Sequence, residues 1–225
     1  LDTLRMLERA LRRSGLPVSF TGGFHPLPRL QLALSLPLGV EGLGEWFDLE
    51  FTAPLERLDL EVVRRQLQAQ LPAEFPLLSV AAVPVFGPSL SQELLKAHWR
   101  FELRPLPAEP SAAGAQGVSA LDWDGAVADL LAAETLVWSD TDKKGRPRQR
   151  DCRPCLLQLG RLAGSGDPGV DAPAEPCIRL ELEAAIDLQG RSLRPEQLQH
   201  WLAERLARPL QLGRVERRAL VLRPC

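Results

Sequence analysis

Tyrosine is absent from these 225 residues, methionine occurs once, and 24 of the 27 basic residues are arginine. That arginine skew is what codon bias produces and carries no functional weight. No apolar run approaches the roughly 18–20 residues that span a bilayer. No signal-peptide pattern is present, so a membrane partner is not expected. Cysteine is scarce, with Cys152, Cys155, Cys177 and Cys225 its only occurrences. Small secreted scaffolds use it far more densely, so reduced thiols in the cytoplasm are the simpler expectation. There is no Walker loop, dinucleotide glycine fingerprint, HExxH or GxSxG. The chain also lacks CxxxCxxC, the usual three-cysteine holder of an iron–sulfur cluster. An initiator methionine is missing and the pattern starts inside a helix, so a fragment of a longer protein is expected.

The hydrophobic content of 45% is enough for a core, and the net charge of −2 gives no global pull toward nucleic acid. Charge is nevertheless uneven. Leu1–Arg29 holds five Arg against Asp2 and Glu8, and Lys143–Arg161 holds seven basic residues against Asp151. Between them, Glu41–Glu74 carries eight acids against three Arg.

Periodicity sets the expected elements. Leu4, Leu7 and Leu11 recur at helical spacing, and Ser14-Gly15 stops that helix. Leu30–Val40 alternates like a strand, Gly39–Gly44 reads as a turn, and Phe47, Leu49 and Phe51 complete a hairpin. Leu60, Val63, Leu67 and Leu71 predict a second helix ended by Pro72, and Leu77–Phe86 a strand. The second half repeats the theme. A strand over Trp99–Leu103 precedes a Pro/Ala/Gly linker, Pro105–Ala120. Asp122 is placed to cap a helix, and Thr135–Ser139 and Cys152–Leu159 read as strands. Ala163–Pro176 is a loop, Ile178–Glu183 a strand, and Pro195 opens a helix. Leu220–Arg223 ends the series as a strand. The expected fold is α+β. Two ferredoxin-like split βαβ halves, 1–95 and 96–225, are predicted, the first without its N-terminal strand.

No catalytic constellation emerges. His25, His98 and His200 are scattered, with no nucleophile–base pair. Cys152-Arg153-Pro154-Cys155 is the only CxxC. In an extended strand, residues three apart point to opposite faces, so structural cysteines are expected in preference to zinc or redox chemistry. Candidate ligand-binding residues cluster instead in two basic segments. Arg5, Arg9, Arg12 and Arg13 stud the first helix. Arg5, Arg9 and Arg12 fall on roughly one face, suited to a joint anion site or to plain solvation, with Glu8–Arg12 as an i,i+4 pair. Gly23, Phe24, His25 and Arg29 lie in a loop whose glycines permit close approach and whose Pro26 and Pro28 stiffen it. Lys143, Lys144, Arg146, Arg148, Arg150 and Arg153 form a basic arm. It reads either as a solvated hairpin tip or as a contact for a phosphate backbone.

One family comes into view on these motifs. Glu8-Arg9-Ala10-Leu11-Arg12-Arg13, Gly15-Leu16-Pro17, Gly23-Phe24-His25-Pro26-Leu27-Pro28-Arg29, Leu36-Pro37-Leu38-Gly39-Val40-Glu41 and Gly44-Glu45 resemble the radical-SAM-linked family of unknown function. Asp151-Cys152-Arg153-Pro154 is similar to that family's D-L/I-R-P element. His25 stands where the family usually has Asn, and Leu27 where it has His.

The resemblance implies a C-terminal accessory domain of a cobalamin-binding radical-SAM protein, with a strand ending in Ser-His before Leu1. It implies that the iron–sulfur cluster, S-adenosylmethionine and cobalamin sit in a fused or neighbouring domain. The leading expectation is a non-catalytic module that presents a substrate, specifically RNA, to that domain. A docking module using the acidic stretch Glu41–Glu61 is the second. An enzyme with His25 as acid/base, perhaps a nuclease, is the third.

Overall fold

The computed structural model describes residues 2–52, 59–84, 86–106, 118–141, 144–162 and 177–223. Lys143, most of the Pro105–Ala120 linker and the Ala163–Pro176 loop lie outside them. The described elements are mixed α+β. In chain order they are α1 (Asp2–Arg13), β1 (Leu30–Leu32), β2 (Glu41–Gly42), β3 (Phe47–Leu49), α2 (Leu60–Gln68) and α3 (Leu90–Glu93). There follow β4 (Leu94–Pro105), α4 (Ala120–Ala132), β5 (Val137–Thr141), β6 (Pro147–Asp151), β7 (Leu156–Arg161), β8 (Ile178–Ala185), α5 (Pro195–Arg205) and β9 (Leu210–Leu222). The chain divides into two compact units, Leu1–Ser35 with Trp46–Ser91, and Leu36–Glu45 with Gln92–Cys225.

The first unit is built around α1. Its apolar stripe, Leu7, Ala10 and Leu11, is buried with Val18, Leu67, Leu71 and Leu77. The stripe leaves the arginines on the outer faces, as an amphipathic helix requires. Gly15 takes the left-handed conformation, φ 69°, just past the helix end. Strands β1 and β3 pair antiparallel, Leu30 opposite Leu49 and Leu32 opposite Phe47.

Two expected strands are shortened or absent in this unit. β1 is Leu30–Leu32, shorter than the expected Leu30–Val40; the Ala33 N–H still donates to the Trp46 carbonyl at 2.9 Å, and Pro37 farther on has no N–H for a ladder. Residues 77–84 form no strand. Gln68 accepts from the Leu77 N–H at 2.6 Å and donates to the Phe75 carbonyl at 3.3 Å, so a side chain takes the first N–H of the segment.

The second unit is a five-stranded sheet in the order β2-β9-β4-β8-β7. Its β4, β7, β8 and β9 pair antiparallel, and β2 runs parallel to β9 at the edge. Trp99, Phe101, Leu103, Leu180 and Leu182 are buried, as are Trp123 and Leu130 of α4 and Leu198, Trp201 and Leu202 of α5. Helix α4 is capped by Ser119, not by Asp122 as expected. Asp122 is the N3 partner, and the two bond reciprocally. The segment read as a turn, Gly39–Gly44, contains strand β2. Gly44 makes this possible, because a Cβ there would meet the Arg218 carbonyl at 2.7 Å.

The CxxC does not lie in a strand. Arg153–Cys155 is a 3₁₀ turn, entered through Asp151, whose carboxylate accepts the Arg153 N–H at 2.9 Å. Pro154 suits such a turn and not a ladder. The final strand is thirteen residues long, not the four read from Leu220–Arg223. Register shifts against β4 at Trp99 and Phe101 break the alternation that would have revealed it.

Candidate functional site

Three of the four arginines of α1 share one cleft, and Arg12 lies outside it. Arg5, Arg9 and Arg13 line an open cleft of about 540 Å³ with Met6, and residues 69–72 beyond the end of α2 form its other wall. No carboxylate lines it. The helical advance of about 100° per residue explains the order around the helix. Relative to Arg5, Arg12 lies about 20° to one side, and Arg9 and Arg13 about 40° and 80° to the other. Each outer arginine is tied to a neighbouring segment. Arg13 donates to the Gln70 side-chain oxygen at 3.3 Å and to the Gln70 carbonyl at 3.0 Å. Arg12 donates to the Pro26 carbonyl, and its guanidinium lies 5.3 Å from the centre of the Phe20 ring. The expected Glu8–Arg12 pair yields to these two contacts. Arg5 and Arg9, between the ties, are exposed to solvent.

The Gly–Pro loop is a braced hairpin beside that stripe. Phe20 bridges Pro28, and the Thr21 N–H donates to the Leu27 carbonyl at 2.8 Å. Leu27 returns its own N–H to the Thr21 hydroxyl at 3.0 Å, and Arg29 donates to the Ser19 carbonyl at 2.8 Å. Gly23 sits at φ 108°, a conformation closed to most side chains. Phe24 is fully exposed at the tip and His25 is exposed beside it. Arg29, the last residue of the motif, faces Glu50 at 3.2 Å.

The basic arm is largely used within the second unit. Arg148 grips Asp140 across β5 and β6 through both carboxylate oxygens, at 2.8 and 2.7 Å. That pairing holds the Asp140 carboxyl below its ordinary value. Arg153 donates to the Leu131, Ala133 and Leu156 carbonyls at 2.7–2.9 Å, which caps the C-terminal end of α4. Arg150 is half-buried and its Nε has no hydrogen-bond partner. Lys144 and Arg146 are exposed, and both take part in further interactions. Asp151 accepts the Leu136 N–H at 2.8 Å as well as that of Arg153, and these bonds lower its pKa. The D-C-R-P element therefore braces the fold. Burial pushes the Cys152 and Cys155 thiols up, away from the thiolate that redox or metal chemistry needs.

The acidic stretch is also occupied internally. Glu41 pairs with Arg214, Glu50 with Arg29, and Glu61 with Arg64. Glu45 holds Arg217, which is only 1% exposed and stacks 5.5 Å from the Trp99 ring centre. Sequence reading missed this pair. Its only signal was the Gly44-Glu45 dipeptide, where a glycine and an acid needed at adjacent positions suit a close backbone approach with a buried partner.

The outer face of the large sheet carries a charged ladder. Lys96 pairs with Glu183, Arg100 with Glu181 and Glu102 with Arg179. His98 stands 3.8 Å from Glu183 and His200 3.3 Å from Glu204. Among the described residues, no group of three or more His, Cys, Asp or Glu is placed to hold a metal ion. No helix among them is long and apolar enough to cross a membrane.

Comparisons with known proteins add a family and little else. No curated protein matches the chain. Among solved structures, the crystal structure of aminobenzoyl-glutamate utilization protein from Klebsiella pneumoniae is similar at 13% identity and a TM-score of 0.26. The alignment covers 59% of this chain and 30% of that one, and at such a score the likeness carries no argument. Residues 1–195 match the model of the family described as uncharacterized protein conserved in bacteria (DUF2344), and the chain belongs to that family.

Proposed function

We propose that this chain is a non-catalytic module that presents an RNA to a radical-SAM/cobalamin domain, fused to it or encoded beside it in the cytoplasm. The observation that carries the reading is the cleft on α1, where Arg5, Arg9 and Arg13 meet with no carboxylate on its walls. Unneutralised guanidiniums in a shared cleft attract phosphate, and Arg matches phosphate geometry through two parallel N–H bonds.

The context comes from the resemblance of the first fifty residues and of Asp151-Cys152-Arg153-Pro154 to the radical-SAM-linked family. The sequence has no CxxxCxxC, and burial pushes the two thiols of its one CxxC up, away from the thiolate. These residues do not fit an iron–sulfur cluster. We therefore assign the cluster, S-adenosylmethionine and cobalamin to the other domain and route no chemistry through this one. We further read β4-α4-β7-β8-α5-β9, with strand order β9-β4-β8-β7, as a ferredoxin-like half. That reading supplies a scaffold and no activity.

We place the docking alternative second: Glu41, Glu45, Glu50 and Glu61 have partners within the chain, which competes with a basic partner surface. The test is titration of the chain with tRNA at about 50 mM and 200 mM salt. Binding that weakens at least several-fold between the two is expected. Absence of binding at the lower salt would remove RNA from the proposal.

A further inference from the structure

We infer that the hairpin of residues 20–28 captures an unpaired nucleotide, its base stacked on Phe24 while its neighbouring phosphates lie along Arg5, Arg9 and Arg12. This rests on the RNA reading above and adds which form of RNA is recognised.

A fully exposed phenylalanine contributes nothing to folding through burial. Phe24 nonetheless sits on a loop braced by a β-bridge of two backbone hydrogen bonds and by the Leu27 N–H donated to the Thr21 hydroxyl. Leu27 and Phe20, at the base of the same hairpin, are 47% and 39% exposed. The loop is also clamped to the arginine stripe. Arg12 lies on the Phe20 ring and donates to Pro26, so the charge at the foot of the loop and the ring at its tip are held together.

From Arg12 the stripe runs back along α1 through Arg9 and Arg5, about one helical turn at each step, a rise of about 4.5 Å and then about 6 Å. A ligand that satisfies both features needs a flat π face beside a row of anions. Unpaired nucleotides offer this, whereas a duplex hides its base faces. His25, exposed next to Phe24, offers a second flat ring at the same tip.

The large sheet does not supply a stacking platform instead. Its outward residues along β4 are Lys96, His98, Arg100, Glu102 and Arg104, while Trp99 and Phe101 face the buried side. Aromatic stacking of RNA on a sheet requires those rings to point outward.

The test compares the 225-residue chain with Phe24→Ala, Phe24→Trp, Phe24→Leu and Arg5→Glu/Arg9→Glu variants. The probes are a labelled single-stranded RNA 12-mer, its duplex, inorganic polyphosphate, and vesicles rich in anionic lipid. Tighter binding of the single strand than of the duplex is expected. Phe24→Ala should weaken the single strand roughly tenfold or more, in line with the loss of one stacked base. Phe24→Trp should retain binding, Phe24→Leu should not, and polyphosphate should be indifferent to all three.

Single-strand binding unchanged in Phe24→Ala but lost in Arg5→Glu/Arg9→Glu overturns the inference and leaves the phosphate reading standing. Failure of every polyanion to bind overturns both. Vesicle binding that depends on Phe24 while RNA binding does not would assign the tip to a lipid surface and likewise overturn it.

Discussion

Replacing Glu45 by alanine would take the carboxylate partner from a buried guanidinium. Arg217 is 1% exposed and both its Nε and Nη2 donate to Glu45. Removing one partner of a buried pair costs about 3–5 kcal/mol, because the remaining charge is left uncompensated. Glu45 is partly exposed, so a loss near about 3 kcal/mol is expected from urea unfolding of Glu45→Ala. Adding Arg217→Met, which keeps the apolar stem against Trp99, should recover a large part of it. Gly44→Ala tests the same junction sterically. Its new Cβ would sit 2.7 Å from the Arg218 carbonyl, a backbone atom that cannot swing away. A loss of about 1–3 kcal/mol is expected, by analogy with overpacking elsewhere. Wild-type stability in Gly44→Ala would contradict the close approach of the 36–45 segment to β9.

At the scale of elements, Arg153, a candidate residue of the basic arm, bonds the end of α4, and Asp151 braces the turn beside it. Arg153 closes the open carbonyls at the end of α4. Arg153→Ala should therefore cost about 2 kcal/mol, the range for charge-assisted hydrogen bonds. It should leave polyphosphate binding untouched, and a loss of that binding without a loss of stability would restore the arm to the interface. Asp151 supplies a pH signature. Its backbone hydrogen bonds hold its pKa below the unfolded value near 3.9. Its contribution is complete above that value and is lost as the pH falls through the depressed one. The Tm difference between wild type and Asp151→Ala should thus be constant from about pH 5 to 8 and should narrow below about pH 4.

Elements whose apolar period is unbroken, such as α1, β8 and α5, were readable from residue spacing, and of β4 the alternating stretch Trp99–Leu103 was. Strand β9 was not, because its bulges break the alternation. Residues 77–84 misled, because Gln68 satisfies backbone groups in a way no periodicity records. Of the candidate site, the helix arginines were readable as one face. Their ties to Gln70 and Pro26 were not, since those partners lie 57 and 14 residues away.

Over the whole molecule, a net charge of −2 conceals a division of labour. Acids and bases in the second unit mostly neutralise one another, across the sheet and along its edge. In the α1 cleft, among the described residues, three guanidiniums gather without a carboxylate on the walls. Bulk charge is therefore a poor guide here, and local pairing decides which cations remain available to an anion. The most direct measurement is the salt dependence of RNA affinity in wild type and in Arg5→Glu/Arg9→Glu. Each phosphate contact adds about 0.7 to the slope of log K against log salt for a single strand. Wild type should show a slope steeper than about −1.4, and the variant should lose about that much along with most of its affinity. Equal slopes and equal affinities in the two proteins would contradict RNA binding along α1.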